Sequence, residues 1–377
     1  MIHKRSGLLA GAAVVLLVAG LWLSMHKSSV QGDLGGGSVF GDLGPAVGDV
    51  SEVRLSKGDG SRVTLRKAGD GWVVVERQYA ADPSRVRELI LNLTSLKIIE
   101  RKTSDPANYP KLGVEDPDSP TATSTLLEVV GGAKTWALIV GKNAEGRAIY
   151  VRKPAEAASA LAQPGLTVDP DPKRWLDRQI TDLPGASIQE ISVRPAAGPA
   201  YLLSRAARGD TDLSLSPVPK GRSAASSMAI NGQADALTAF NFDDMRALPP
   251  SAAAPTDHAT FRTFDGAVLE FAGRKQDNKA YVTVKASHDA ALAAKFAAPP
   301  AAAPAATPVT PAADSAAAPA PGPAAGEPPA VTPPAPADRT VDRLAERAKG
   351  IEYEIPLYKY ESLFKPQEQL LAPKAAK

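Results

Sequence analysis

From Val50 onward, hydrophobic and polar residues alternate in short segments that predict a β-sheet. "VSEVRLS" and "VTLRK" alternate on either side of a polar turn containing Asp59 and Gly60, and "GWVVVE" begins a third segment at Trp72. A period of two places alternate side chains on opposite faces of a sheet, and Asp-Gly between two such runs is typical of a hairpin. The pattern therefore predicts three consecutive strands.

The apolar spacing then changes to that of a helix. Asp82 followed by Pro83 favours a helix that begins here with Asp82 as its N-cap. Apolar residues then recur at helical spacing, at Val86, Leu89, Ile90, Leu93 and Leu96. This stripe is expected to face the sheet.

Three more alternating segments follow the helix. "STLLEVV", "KTWALIVG" and "AIYVRK" predict strands, and "PAEAASALA" is expected as a short helix. "DPDPKRWLDRQI" then closes the series, with Trp175 expected in the core. We interpret residues 50–187 as one α+β unit.

The same series of patterns begins again at Ile188. "IQEISVRP", "AYLLSR" and "DLSLSPVP" repeat the first three strands, and "INGQADALTAFNFDDM" takes the place of the helix, with Leu237 and Phe240 on its apolar side. "HATFRTF", "AVLEFAG" and "KAYVTVK" repeat the later strands. The stretches Gly141–Lys153 and Gly273–Lys285 resemble each other around Tyr150 and Tyr281. The order and spacing predict an α+β fold, a tandem duplication of a mainly antiparallel sheet unit with a packed helix.

An Ala/Pro-rich insert interrupts the second series. Residues 297–338 contain no aromatic residue, so they cannot bury enough apolar surface to offset the entropy of ordering, and we expect disorder there. After it, "RTVDRLAERAKG" predicts a helix that ends at Gly350. Ile351, Tyr353 and Ile355 then alternate with glutamates, which predicts a strand that returns to the second sheet. The second repeat is therefore expected to comprise residues 188–296 and 339–366.

The segment Gly7–Met25 carries no charged residue and is long enough to span a bilayer as a helix. Basic residues precede it, so the positive-inside rule favours a cytoplasmic N-terminus and a periplasmic bulk in a bacterial inner membrane. A cleaved signal peptide is the alternative. Residues 1–27 are thus expected to be a stub and a single membrane helix, and residues 28–49 a flexible Gly-rich tether. The expected membrane-spanning residues are Leu8, Leu9, Val14, Val15, Leu16, Leu17, Val18, Leu21, Trp22 and Leu23.

Composition narrows the chemistry. The net charge of +2 gives no basic excess of the kind that binds nucleic acid, and the absence of cysteine excludes disulfides and thiolate metal sites. His258 and His288 have no acidic or histidine partner at ligand spacing, and no G-x-S-x-G or H-E-x-x-H motif occurs. We therefore predict no catalytic residue, no metal and no cofactor.

The C-terminal segment is rich in aromatic residues. Tyr358 and Tyr360 are candidates for a surface that docks a partner protein, because tyrosine is favoured at interface hot spots. The alternative is that both tyrosines pack the core of the second unit.

Several of these stretches together resemble the bacterial domain-of-unknown-function 4340 family. They are "GWVVVERQYAADPSRVRELILNLTSLKIIERK", "YPKLGVEDP", "IVGKNAEGRAIYVRK", "KRWLDRQI" and the terminal "IEYEIPLYKYESL". The second series lacks the tryptophan and the "LG…DP" element. The resemblance implies a single-pass, extracytoplasmic protein encoded near ABC-type transport components, and it supplies no catalytic residue.

These observations favour a non-enzymatic, membrane-anchored accessory or scaffold protein of a transport or envelope assembly. Its expected partner is a membrane protein, with an ABC-type transport component as one candidate. A periplasmic module that binds a small molecule or glycan is the first alternative, and a hydrolase with an unrecognised site is the second.

Overall fold

The computed structural model describes residues 36–297 and 337–373, which divide into two units between Asp177 and Arg178. Each unit is built around an antiparallel sheet with a few short helices. The predicted mainly antiparallel α+β class is therefore confirmed. The predicted membrane residues and the interior of the Ala/Pro insert lie outside the described residues.

The first unit contains a nine-stranded sheet in the order β4-β3-β2-β1-β6-β7-β8-β9-β5. Its helices are α1 (Pro83–Ser95) and α2 (Tyr109–Leu112). Its strands are β1 (Val50–Ser56), β2 (Arg62–Ala68), β3 (Gly71–Val74), β4 (Tyr79–Ala80), β5 (Lys97–Arg101), β6 (Thr125–Gly131), β7 (Lys134–Ala144), β8 (Ala148–Arg152) and β9 (Ser159–Gln163).

The second unit contains an eight-stranded sheet in the order β13-β12-β11-β16-β17-β18-β19-β15, and β10 pairs with β14 beside it. Its helices are α3 (Ser227–Asn231), α4 (Ala290–Lys295), α5 (Ala337–Ala348) and α6 (Leu357–Leu363). Its strands are β10 (Gln179–Thr181), β11 (Ile188–Arg194), β12 (Tyr201–Ser204), β13 (Ser214–Ser216), β14 (Phe240–Asn241), β15 (Asp244–Ala247), β16 (Asp257–Thr263), β17 (Ala267–Gln276), β18 (Lys279–His288) and β19 (Ile351–Ile355).

The two sheets share one strand order. From β3 in the first sheet and β13 in the second, each strand of the second sheet corresponds to the strand numbered ten lower in the first. The pairing of β1 with β6 and that of β11 with β16 shift register at the same place, between Val50 and Glu52 in one unit and between Ile188 and Glu190 in the other. This shared shift allows the two sheets to be compared residue by residue.

Helix α1 forms as predicted. The Asp82 carboxylate accepts hydrogen bonds from the backbone N–H groups of Ser84 and Arg85, at 2.9 and 3.3 Å, and so caps the helix. Four residues of the predicted apolar stripe are buried in the helix, namely Val86, Leu89, Ile90 and Leu93. The capping and the buried stripe together explain why the chain is helical here.

As predicted, the chain after the insert returns to the second sheet as a strand, β19. Strand β19 pairs with β18 on one side and with β15 on the other. Its counterpart in the first unit, β9, follows β8 after only a short connection. The Ala/Pro insert and α5 therefore lie in the connection that corresponds to a hairpin in the first unit.

Three local predictions are wrong. Val39, Phe40 and Leu43 are buried, so residues 38–49 are part of the folded first unit and not of a flexible tether. The segment "PAEAASALA" contains the first four residues of strand β9 and no helix, because these residues fill the position between β8 and β5. Tertiary pairing here overrides the helical preference of alanine.

The helix predicted over "INGQADALTAFNFDDM" is also wrong. The chain forms α3, a short 3-10 turn at Ala234–Leu237, and then β14 and β15. Leu237 and Phe240 are fully buried as expected, but they reach the core from a turn and a strand. Beyond β19, the chain forms α6.

Candidate functional site

A groove of about 920 Å3 lies on one face of the second sheet. On β17 and β18, side chains alternate between this face and the core. Phe271 and Val282 lie in the core, and their neighbours Ala272 and Tyr281 line the groove. The loop 248–256, between β15 and β16, forms the opposite wall with prolines and alanines. The volume falls within the range of roughly 300–1,000 Å3 that is usual for ligand sites in proteins.

An ion cluster around the buried Glu352 lies at one side of the groove. Glu352 is 2 % exposed, and each of its carboxylate oxygens accepts from a different arginine. Arg274 donates from Nε and Nη2 to Oε1 at 3.0 and 2.6 Å. Arg246 donates from Nε and Nη2 to Oε2 at 2.9 and 2.8 Å. The hydrogen bond to Glu352 raises the pKa of Arg246 above its ordinary value.

Tyr281 completes this cluster. Its ring centroid lies 4.5 Å from the guanidinium carbon of Arg246 and 5.3 Å from that of Arg274. A cation over an aromatic face is attracted by the ring quadrupole. The cluster therefore holds two guanidinium groups against one carboxylate and one ring, and it carries a net positive charge.

Further ionisable residues line the groove. Arg194 on β11 and Lys285 on β18 are exposed, and their side chains make no hydrogen bond or ion pair with the residues that the structure describes. His258 on β16 is half-buried beside Arg194, its partner in the register, and Glu270 pairs in register with Lys285. Ser192, Thr260 and Thr283 add hydroxyl groups. The groove thus combines cationic and hydroxyl donors with an apolar wall, which suits an anionic ligand that also has apolar parts.

The sequence did not point to these residues. "IEYEI" correctly places Glu352 on the face opposite Tyr353, but alternation implies solvent there, whereas Arg246 and Arg274 bind that carboxylate and the residue is buried. Glutamate and arginine on strands that are distant in sequence give no local pattern. A charged residue within an apolar strand was the only sign available.

The predicted docking residues Tyr358 and Tyr360 lie on α6 but differ in exposure. Tyr358 is 65 % exposed, next to the exposed Leu357, so its docking role remains a prediction. Tyr360 is 2 % exposed, and its hydroxyl donates to Asp257 at 2.7 Å. Burial, and then this hydrogen bond, raise the pKa of Tyr360. Tyr360 packs the core, as the alternative interpretation held, and its prediction as a docking residue is wrong.

The residues that the structure describes form no metal-binding cluster and no membrane-spanning helix. No group of three or more His, Cys, Asp or Glu side chains in residues 36–297 and 337–373 is arranged to hold a metal ion. None of the helices in that part of the chain combines the length and the apolar character needed to cross a membrane.

The fold defines an α+β protein with two antiparallel-sheet units that share one strand order. The family model described as "Domain of unknown function (DUF4340)" matches residues 72–263, just over half of the chain, and the protein belongs to this family. No curated protein and no solved structure matches the chain. Arg274, Tyr281 and Glu352 lie beyond the matched residues.

Proposed function

We propose that this protein is a membrane-anchored, extracytoplasmic accessory protein of a transport or envelope assembly, which acts by contact with a partner protein. An ABC-type transport component is the candidate partner that the family resemblance implies. The observation that carries the proposal is the open groove of the second unit, with its cationic and apolar walls. The uncharged segment Gly7–Met25 supports the anchor.

Anchoring adds to the effect of a weak contact. A tether between a binding module and a membrane raises the effective concentration of a membrane partner toward the millimolar range. The groove then needs only modest affinity for its partner. Exposed Tyr358 is a second contact candidate, because tyrosine is favoured at hot spots.

We further propose that the two units arose by tandem duplication and that only the second retains an open groove. The shared strand order and the shared register shift support this proposal.

Site-specific photocrosslinking in intact membranes tests the contact. A photoreactive residue at Lys285 is expected to capture a discrete membrane protein, whereas one at Lys67, an exposed strand residue of the first unit, is expected to capture none. Capture from Tyr358 but not from Lys285 would place the contact on α6. If neither Lys285 nor Tyr358 captured a protein, the proposal would be contradicted.

A second candidate function is a binding module for a periplasmic small molecule or glycan. The volume of the groove, about 920 Å3, is the observation that favours it. In that case, a photoreactive residue at Lys285 would yield no protein adduct, and thermal unfolding would shift upward with a soluble ligand.

A further inference from the structure

The groove has a counterpart on the first unit, and there the chain itself fills it. The corresponding face of the first sheet is covered by residues 102–124, between β5 and β6. Tyr109 and Val114 are buried against Ile139 of β7, and Leu112 packs beside them. The covering segment lies so close that a Cβ on Gly141 of β7 would clash with the Leu112 carbonyl oxygen. Residues 109–116 therefore lie directly on the sheet.

This covering segment also satisfies a buried arginine. Arg152 of β8 is 4 % exposed, and its Nε donates to the carbonyl oxygen of Val114 at 3.0 Å. Its Nη2 donates to the carboxylate of Asp116, and its guanidinium lies over the ring of Tyr109 at 4.5 Å. A peptide segment with a carbonyl, a carboxylate and an aromatic ring thus meets the cation that this face presents.

The second unit keeps the face but has a much shorter connection beside it. Matching strands through the shared register shift places Tyr281 at the position of Tyr150, and Arg274 at the position of Gly141. The connection between β15 and β16 is only residues 248–256, compared with 102–124 in the first unit. The face that Tyr109 and Val114 cover in the first unit is therefore the floor of the open groove in the second.

The charges of the uncovered face favour an acidic occupant. Arg274 and Arg246 share one carboxylate, that of Glu352. Arg194 and Lys285 have no ion-pair partner among the residues that the structure describes, and Glu270 is the one other carboxylate that lines the groove. A ligand carboxylate would offset this cationic excess, just as Asp116 serves Arg152.

We propose that the groove of the second unit binds an extended, acidic peptide segment of a partner protein, in the manner in which residues 109–116 cover the first unit. This inference rests on the proposed function and names the chemistry of its partner. The segment places one carboxylate near Arg194 and another near Lys285, and its apolar side chains contact the loop of Leu248, Pro249 and Pro250.

The test uses the full chain in detergent micelles and defined probes. The first probe is a fluorescent peptide with the sequence YPKLGVEDP, which is that of residues 109–117. The second is an array of random nine-residue peptides. Binding of YPKLGVEDP is expected to weaken at high salt and on replacing its Glu and Asp by Gln and Asn, because charge attraction is screened or removed. Acidic peptides are expected to be enriched on the array.

The variant R194Q/K285Q removes both unpaired cations without breaking an ion pair within the described ranges, so it is expected to unfold at the same temperature as the unchanged protein. Its Kd for acidic peptides is expected to rise at least about fivefold. The matched control, R62Q/K67Q, makes the same charge change at exposed positions of β2, and its Kd should not change.

Three outcomes would overturn the inference. They are the absence of acidic enrichment on the array, equal peptide binding by R194Q/K285Q, and binding of an oligogalacturonate but of no peptide, which would assign the groove to acidic glycans. A captured membrane partner together with no peptide binding would sink only this inference. Peptide binding in vitro without any captured partner would contradict the proposed function instead.

Discussion

Arg274 of β17 and Glu352 of β19 form an ion pair of 2.6 Å across a strand that lies between them. The side chain of Arg274 is 8 % exposed and that of Glu352 is 3 % exposed. Arg246 of β15, on the far side of β19, binds the same carboxylate. The pair therefore ties the strand that follows the insert to strands that precede it, and a one-residue slip of β19 would bury a tyrosine where the carboxylate now lies.

Glu352→Gln is expected to lower the free energy of unfolding by about 3–5 kcal/mol, because it leaves the buried guanidinium of Arg274 without its counter-charge. Chemical denaturation of the full chain measures this loss. Glu354→Gln is the control. Glu354 pairs with the exposed Lys279 at 2.9 Å, so its loss should be at most about 1 kcal/mol. Equal losses for the two variants would show that the buried cluster has no special role.

Leu93→Ala is expected to cost about 2–5 kcal/mol of stability, because Leu93 is fully buried and truncation leaves a cavity beneath α1. The same helix supplies the control. Leu91 is 55 % exposed, and Leu91→Ala should change stability by at most about 0.5 kcal/mol. Denaturant titration of the two variants distinguishes them, and a small effect at Leu93 would be inconsistent with packing of α1 on the sheet.

Asp42 links the segment before β1 to the first sheet. Its carboxylate accepts from the indole Nε1 of Trp136 at 2.9 Å and from Nζ of Lys134 at 3.1 Å. The hydrogen bond from Trp136, followed by that from Lys134, lowers the pKa of Asp42 below its ordinary value of 3.8. The stabilising effect of a lowered pKa is fully present above the ordinary value and is lost as the pH falls through the lowered one.

We therefore expect the indole N–H resonance of Trp136 to shift on acidification with a midpoint below pH 3.8. An NMR titration of the 15N-labelled tryptophans measures this shift. Asp42→Asn keeps an acceptor oxygen but cannot titrate, so its Trp136 resonance should not move in this range. A midpoint at or above 3.8 would contradict the hydrogen-bonded arrangement.

Alternation and helical spacing were sufficient to predict most of the strands and α1, because these patterns depend on which face of an element is buried. The similar stretches around Tyr150 and Tyr281 show where this reasoning stops. The tyrosines are equivalent in the two sheets, but the position of Gly273 corresponds to Val140 and not to Gly141. Each glycine instead leaves room for a close neighbour. A Cβ at Gly141 would clash with the Leu112 carbonyl oxygen, and one at Gly273 would clash with the Phe364 ring.

The groove could not be predicted from the sequence either, because it does not depend on a local pattern. It depends on the length of the loop that covers one sheet face and on charges brought together from β15, β17 and β19. Neither is a local property of the chain. The mistaken flexible tether has a similar origin: its glycines imply freedom, but Phe40 and Leu43 bury apolar surface that holds the segment to the first unit.

The anchor prediction concerns Gly7–Met25, outside the described residues. Because the folded unit begins by residue 38, only a short stretch separates it from the predicted membrane segment.

Replacing residues 7–25 with a cleavable leader is expected to release the protein from the membrane. The released protein should unfold at the same temperature as the unaltered protein but fail to restore function in cells lacking the gene. An unrelated apolar segment of the same length should restore function, because the proposed role of the anchor is to keep the protein close to the membrane. Carbonate washing should leave the unaltered protein in the membrane fraction and extract the released form. Full function of the released form at normal expression would contradict an anchored accessory role and favour the small-molecule or glycan module.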